Sequence, residues 1–177
     1  MMDQYMDIKT EHPDSVLFFR MGDFYEQFHE DAVVSSEVLG IALTSRDKKA
    51  DKPIPMAGFP WHALEDNLRQ MLQSGHKVCV AEQEDELREG AKLLERNVTR
   101  VYTPGSLYEE SLIGTDEIAG LAAICVKADG VGLAILDAST GHVWTMEHHG
   151  DERWDRLLDD LLRSNPREVI FSPRDAD

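Results

Sequence analysis

The chain has 177 residues, 42% of them apolar and 29% charged, which suits a packed globular protein and excludes wholesale disorder. Lys and Arg number 18 against 34 Asp and Glu, a formal charge of −16, with 12 basic and 19 acidic residues up to Ser106 and 6 and 15 after it. That balance excludes a protein that grips polyanions through broad basic surface, because phosphate backbones reward cations through counterion release. No apolar run approaches the ~20 residues of a membrane span. The opening MMDQYMDIKT lacks the basic start and apolar block of a signal peptide, so a soluble, cytoplasmic protein with no membrane partner is expected.

Residues 1–12 read as a short helix with Tyr5 and Ile8 as its apolar positions, broken by Pro13 and Asp14. Val16 to Phe19 is an apolar run suited to a buried strand, and Arg20-Met21-Gly22 is a turn. Asp23 then stands as the cap of a helix expected to reach Leu39, with Gly40 placed to end it. Ile41 to Thr44 suits a strand, and Ser45 to Pro53 a solvated loop. Ile54 to Gly58, punctuated by prolines, suits an edge strand. Leu64, Leu68, Met71 and Leu72 repeat as on one face of a helix, which Gly75 closes. Val78 to Ala81 alternates into Glu82-Gln83, a charged stretch runs from Glu84 to Arg96, and Val98 to Tyr102 is a further strand before the turn Thr103-Pro104-Gly105.

Beyond about Gly114 the pattern changes. Leu121 to Val126, Val131 to Leu136 and His142 to Met146 read as three successive strands, with Asp129-Gly130 and Ser139-Thr140-Gly141 at the hairpin turns. A helix from about Asp151 carries Trp154, Leu157, Leu158, Leu161 and Leu162, Asn165-Pro166 stops it, and Val169 to Phe171 begins another strand. Three antiparallel strands, one helix and one more strand leave a sheet face uncovered, so this second unit is expected to be incomplete. The two cysteines, Cys79 and Cys125, both sit in strand-like runs and are expected as buried free thiols. The histidines make no metal-ligand pattern with them.

Four colinear blocks carry a family resemblance: RMGDFYEQF (Arg20 to Phe28), PIPMAGFPWHALEDNL (Pro53 to Leu68), GHKVCVAEQ (Gly75 to Gln83) and RVYTPGS (Arg100 to Ser106). Together they resemble the mismatch-recognition domain of the bacterial MutS family, and the later hairpins resemble the start of its connector domain. The resemblance implies an α/β (α+β) fold: a mixed-sheet domain with flanking helices over 1–106, a linker over 107–118, and an incomplete ribonuclease-H-like connector over 119–177. It implies binding to double-stranded DNA that contains mismatches or small loops, with no catalytic and no metal residue in this chain. In such proteins the aromatic of a Phe-x-Glu motif wedges beside the mispaired base and the Glu hydrogen-bonds to it, which falls here on Phe24 and Glu26. Met56 and Gly58 match the segment near the wedge, Met56 as an apolar groove contact and Gly58 as a point of close backbone approach. Arg46, Lys48 and Lys49 become candidate phosphate contacts from the loop. No G-x-x-x-x-G-K-[ST] occurs in the chain, so ATP and Mg are expected only in an ATPase domain elsewhere in a full-length protein, along with a homodimer interface and a MutL-type partner. The sequence departs from the family where Glu82-Gln83 runs into the acidic Glu84-Asp85-Glu86, and where Trp61 and Ser106 replace the usual Tyr and Thr.

Two other classes compete. A metal-dependent nuclease of ribonuclease-H-like fold would use Asp137 at a strand end, with Asp116, Glu117 and Glu168 as further acids, although a two-metal site needs such carboxylates to converge. The other reading of Asp137 is a turn residue before Ser139-Thr140-Gly141. An acidic interaction module that has lost DNA binding would bury Phe24, as most phenylalanines are buried.

Overall fold

The computed structural model describes residues 1–46, 52–84, 94–105 and 120–172. Contacts divide the chain into two compact units, Met1–Tyr102 and Thr103–Asp177. The expected linker, 107–118, lies outside the described residues.

The first unit opens with helix α1 (Met2–Glu11), followed by strands β1 (Ser15–Met21) and β2 (Phe24–Phe28) and helix α2 (His29–Leu39). Strands β3 (Thr44–Arg46) and β4 (Ile54–Pro60) come next. A 3-10 turn over Trp61–Ala63 leads into helix α3 (Leu64–Gln73), and strands β5 (Lys77–Gln83) and β6 (Arg96–Tyr102) complete the unit. The six strands form one mixed sheet in the order β3-β4-β2-β1-β5-β6, with β1 and β5 parallel and the other pairs antiparallel.

The expected helix from Asp23 to Leu39 is corrected at its start: residues 24–28 are strand. Phe-Tyr-Glu-Gln-Phe is rich in aromatic residues, and its alternation serves two sheet faces at once, with Tyr25 and Gln27 to one side and Phe24, Glu26 and Phe28 to the other. Gly22, at φ 60°, starts the two-residue turn that folds this strand back on β1, pairing Met21 with Phe24 and Phe19 with Glu26. The helix begins only at His29 and ends at Gly40 in the left-handed conformation, as its sequence suggests. The strand expected over Ile41–Thr44 sits further on, at Thr44–Arg46. The expected edge strand at Ile54 lies inside the sheet, between β3 and β2. The three-residue β3 covers only Ile54, Pro55 and Met56 of it.

Both sheet faces carry core. On one side Tyr5 of α1 packs edge-on against Phe19 and Phe28, over Leu17, Cys79 and Ala81. On the other, Phe18, Tyr25 and Phe59 cluster at ring separations of 4.9–6.3 Å, and Leu68, Met71 and Leu72 of α3 are buried as the helical repeat predicts. One buried carboxylate ties the first core together. Asp31 accepts hydrogen bonds from the Tyr5 hydroxyl (2.8 Å), the Leu17 amide (3.0 Å) and Lys9 (2.8 Å), while the Tyr5 hydroxyl also accepts from the Phe28 amide (3.2 Å).

The second unit has strands β7 (Gly120–Val126), β8 (Gly130–Asp137) and β9 (His142–His149), helix α4 (Arg153–Ser164) and strand β10 (Glu168–Phe171), close to the periodicity reading. The sheet order is β10-β7-β8-β9, with β10 parallel to β7. Leu157 of α4 joins Ala122, Val131, Leu133 and Ile135 in its core. Cys125, expected buried, is exposed, because in β7 it alternates away from Ala122 and the core side. The Thr103-Pro104-Gly105 turn belongs with this unit: the Gly105 amide donates to Glu168 (3.1 Å), and a β-carbon at position 105 would stand 2.7 Å from that of Glu168. Among the described residues, no helix is long and apolar enough to cross a membrane.

Replacing Asp31 with Ala removes an acceptor shared by three donors: the buried Leu17 amide loses its partner, while Lys9 keeps the Ser15 carbonyl and the Tyr5 hydroxyl a longer bond to the Phe28 carbonyl. Leaving one buried donor unpaired and weakening two others is expected to lower stability by about 2–3 kcal/mol in chemical denaturation. A loss under about 1 kcal/mol would mean the network contributes little.

Candidate nucleic-acid interface

Of the three aromatic residues in β2, Tyr25 and Phe28 are buried, while Phe24 is 47% exposed. Phe24 sits at the first position after the hairpin turn and shares a sheet face with Glu26. Exposing half a phenylalanine forgoes part of the ~1.5–3 kcal/mol its burial would supply. It is held there by its neighbours: Tyr25 fills the core on the opposite face, and its hydroxyl donates to Glu82, so the strand cannot rotate to hide Phe24 without expelling Tyr25.

Glu26 is half-buried between its cross-strand partners Phe19 and Gly58. Gly58 is where the backbones crowd: a β-carbon there would lie 3.0 Å from the Tyr25 carbonyl oxygen and 3.6 Å from Cγ of Glu26. Met56, two residues back on the same face, pairs with Phe28 and packs on the core. Arg46, expected in a loop, is on β3 instead, with its guanidinium 5.8 Å above the Phe28 ring. Lys48 and Lys49 lie outside the described residues. The structure therefore brings together Phe24, Glu26, Gly58, Met56 and Arg46 on one face.

One further residue joins this face. Arg96, left at the end of a charged stretch, is the first residue of β6, and only 8% of it is exposed. Its guanidinium stacks 5.3 Å over Phe19, the strand partner of Glu26. The signal was available: the alternation that puts Val98 on the core extends back two residues to Arg96. Arg20 lies on the opposite face with its strand partner Tyr25, its guanidinium 5.2 Å from the half-exposed Trp61 ring and 5.4 Å from Tyr25. The Trp61 amide donates to the carbonyl of Asp23 (2.9 Å), fastening the hairpin turn to the segment after β4.

Burial lifts the Glu26 carboxyl above its ordinary range, and the positive charges of Arg46 and Arg96 draw it back only in part. A half-exposed ring thus stands two residues from a partly desolvated carboxyl. That combination can stack on a base and exchange one hydrogen bond with it.

Asp137, the candidate nuclease carboxylate, is spent on its own turn. It accepts from the Ser139 amide (3.0 Å) and hydroxyl (2.6 Å) and the Thr140 hydroxyl (2.7 Å), and these bonds hold it below the ordinary carboxylate range. Glu168 is engaged by Gly105, and Asp116 and Glu117 lie outside the described residues. Among the described residues, no three His, Cys, Asp or Glu side chains converge to hold a metal.

Comparison with known proteins agrees with this layout. Residues 1–111 match the family model described as MutS domain I, and residues 119–177 match MutS domain II. The chain belongs to the MutS family. The DNA mismatch repair protein MutS of Anaeromyxobacter dehalogenans (strain 2CP-C) is 44% identical over 172 residues, 97% of this chain and 19% of the relative. Those of Myxococcus xanthus (strain DK1622) and Rickettsia bellii (strain OSU 85-389) are 45% identical over 178 residues and 44% over 180. These matches take in 99% and 97% of this chain and 20% of each relative. The chain thus spans about a fifth of the length of these MutS relatives and corresponds to their first two domains.

The raised Glu26 carboxyl has a measurable consequence in this MutS-family chain. Between the ordinary and the raised value the folded chain holds more protons than the unfolded one, so stability falls as pH rises through that window, and the whole penalty is present above it. Glu26→Gln removes the penalty. The variant is expected to be more stable than the parent sequence at pH 7, with the advantage vanishing as pH drops below the usual glutamate range. A variant less stable at pH 7 would show that attraction to the two arginines outweighs burial.

Proposed function

We propose that this chain is the mismatch-sensing part of a larger ATP-dependent repair protein. In this reading Phe24 wedges beside a mispaired or unpaired base in kinked duplex, and Glu26 hydrogen-bonds to that base. The observation that carries the proposal is the exposure of Phe24 at a hairpin end, beside aromatic neighbours that are buried. The same exposure argues against an acidic interaction module that has lost DNA binding.

The mechanism is a balance of two similar energies. Stacking a base on an aromatic side chain contributes ~1–3 kcal/mol. Unstacking and kinking a base step costs a few kcal/mol. For paired, well-stacked DNA the terms nearly cancel and the ring stays out. A mispair is already loosely stacked, so its deformation costs less and insertion becomes favourable. Glu26 sharpens the choice. A carboxylate repels the phosphate backbone everywhere, yet it can accept a hydrogen bond from a displaced base, or donate one when protonated, and its desolvation makes the protonated form more accessible.

The formal charge of −16 supports only weak DNA binding by this segment alone. The full-length protein is proposed to supply further basic surface, the ATPase with its ATP and Mg, a homodimeric clamp and a MutL-type partner, in the cytoplasm. The second unit is proposed as the beginning of a ribonuclease-H-like connector, and the chain itself as non-catalytic.

Phe24→Ala in the full-length protein is expected to erase about 1–3 kcal/mol of preference for a G·T or one-base-loop duplex over homoduplex, and to leave residual duplex affinity. Competition binding over a salt series measures this. Unchanged preference would sink the wedge.

A further inference from the structure

Beneath the hairpin that carries Phe24, the hydrogen bonds of Arg96 reach β1, β5 and α1 together. Its Nε donates to the Arg20 carbonyl (3.1 Å), one residue before Met21 and two before the turn glycine. One terminal nitrogen donates to Gln83 (2.7 Å), whose carboxamide oxygen also accepts from the Gly22 amide (3.4 Å). The other donates to the Leu94 carbonyl (2.6 Å) and to Gln4 of α1 (3.4 Å). The flat face of the guanidinium rests on Phe19. Four of its five N–H donors are used and every acceptor is a neutral oxygen; the carboxylate whose charge it feels is Glu26.

Burying a cation whose hydrogen bonds all go to neutral groups is a costly way to hold up a sheet end, only partly offset by the charge of Glu26, and an apolar residue would pack there more cheaply. Its geometry, though, is suited to one task. A planar donor fork fixes direction as well as distance, and here it reaches the backbone on one side of the turn directly and the turn glycine through Gln83. It also stands over the strand partner of Glu26, so the same group sits beside both functional side chains.

We propose that Arg96 is the positioning residue of the mismatch-sensing hairpin: its fork fixes where the Phe24 ring and the Glu26 carboxyl stand, and thereby sets discrimination between mismatched and paired DNA without touching DNA itself. The proposal rests on the wedge reading above. Because insertion is a near-balance, a hairpin free to wander would lose part of the stacking gain to ordering, and the loss falls on the mismatch complex, where the ring is inserted, more than on homoduplex.

The test uses the full-length protein with Arg96→Met, Arg96→Lys, Gln83→Met and Phe24→Ala, each assayed for affinity to a G·T duplex and to homoduplex, with thermal unfolding recorded alongside. Arg96→Met is expected to lower the ratio of the two affinities about tenfold while homoduplex affinity stays within about twofold; tenfold corresponds to ~1.4 kcal/mol. Arg96→Lys keeps the charge without the fork and is expected to restore little of the ratio. Gln83→Met severs only the link to Gly22 and should fall between, which keeps the question answerable if Arg96→Met does not fold. Equal losses on both duplexes, or full rescue by Lys, would overturn the positioning role in favour of general stability or charge. A normal ratio in the Arg96 and Gln83 variants with a collapsed ratio in Phe24→Ala would overturn this inference alone, whereas a normal ratio in Phe24→Ala would remove the wedge reading beneath it.

Discussion

The alternation of five residues, Phe24 to Phe28, governs the candidate interface. A strand with cores on both faces must send Tyr25 one way and Phe28 the other, and the two-residue turn at Gly22 fixes the register that makes this possible. Once those two rings are buried, Phe24 and Glu26 have no freedom of face. A slip of one residue would bring Phe24 and Glu26 into the Phe18–Phe59 cluster and push Tyr25 out, exchanging several buried rings for a charge. The exposed phenylalanine is therefore a consequence of core packing, and its cost is borne by the Asp31 network and the aromatic clusters around it.

Charge is the second constraint. A chain this acidic cannot hold DNA by its general surface, and the candidate interface reflects that. Its two best-placed cations, Arg46 and Arg96, lie over phenylalanine rings of the core and not in a basic stripe. They surround a carboxyl that burial has made easier to protonate. If the proposed function holds, such an arrangement favours discrimination over affinity, because each charge is tied to a particular geometry.

Much of this was legible from residues alone. The second unit followed its periodicities closely, since alternating strands with Gly-containing turns and a strongly amphipathic helix leave few alternatives. The first unit resisted where two periods overlap: Phe24 and Phe28 are four apart, which lies on one helix face and on one strand face alike, so spacing could not choose between them. The alternation of Tyr25 and Gln27 against Glu26 could have, and the pairing with β1 decided it. Arg46 and Arg96 were misread for a related reason. Basic residues flanking charged stretches look like loop, and only long-range pairing, with Ile54 and Gln83, makes them strand residues facing the core. Phe24 and Glu26 were singled out by their motif, which spacing alone could not do, while Arg96 carries no such motif.

The near-cancellation that allows a ring to sense weakened stacking also sets the demand on its support. If stacking and kinking each amount to a few kcal/mol, a selective difference of one or two is all the signal there is. Freezing a loose hairpin on binding would cost a comparable amount and blur that difference. The hairpin is already held from several sides. Gly22 sets the turn, the Trp61 amide holds Asp23, Tyr25 anchors the strand to Glu82, and Arg96 draws the incoming strand and the turn onto β5. These contacts all converge on the pose of one side chain, which is what the proposed wedge requires of its support.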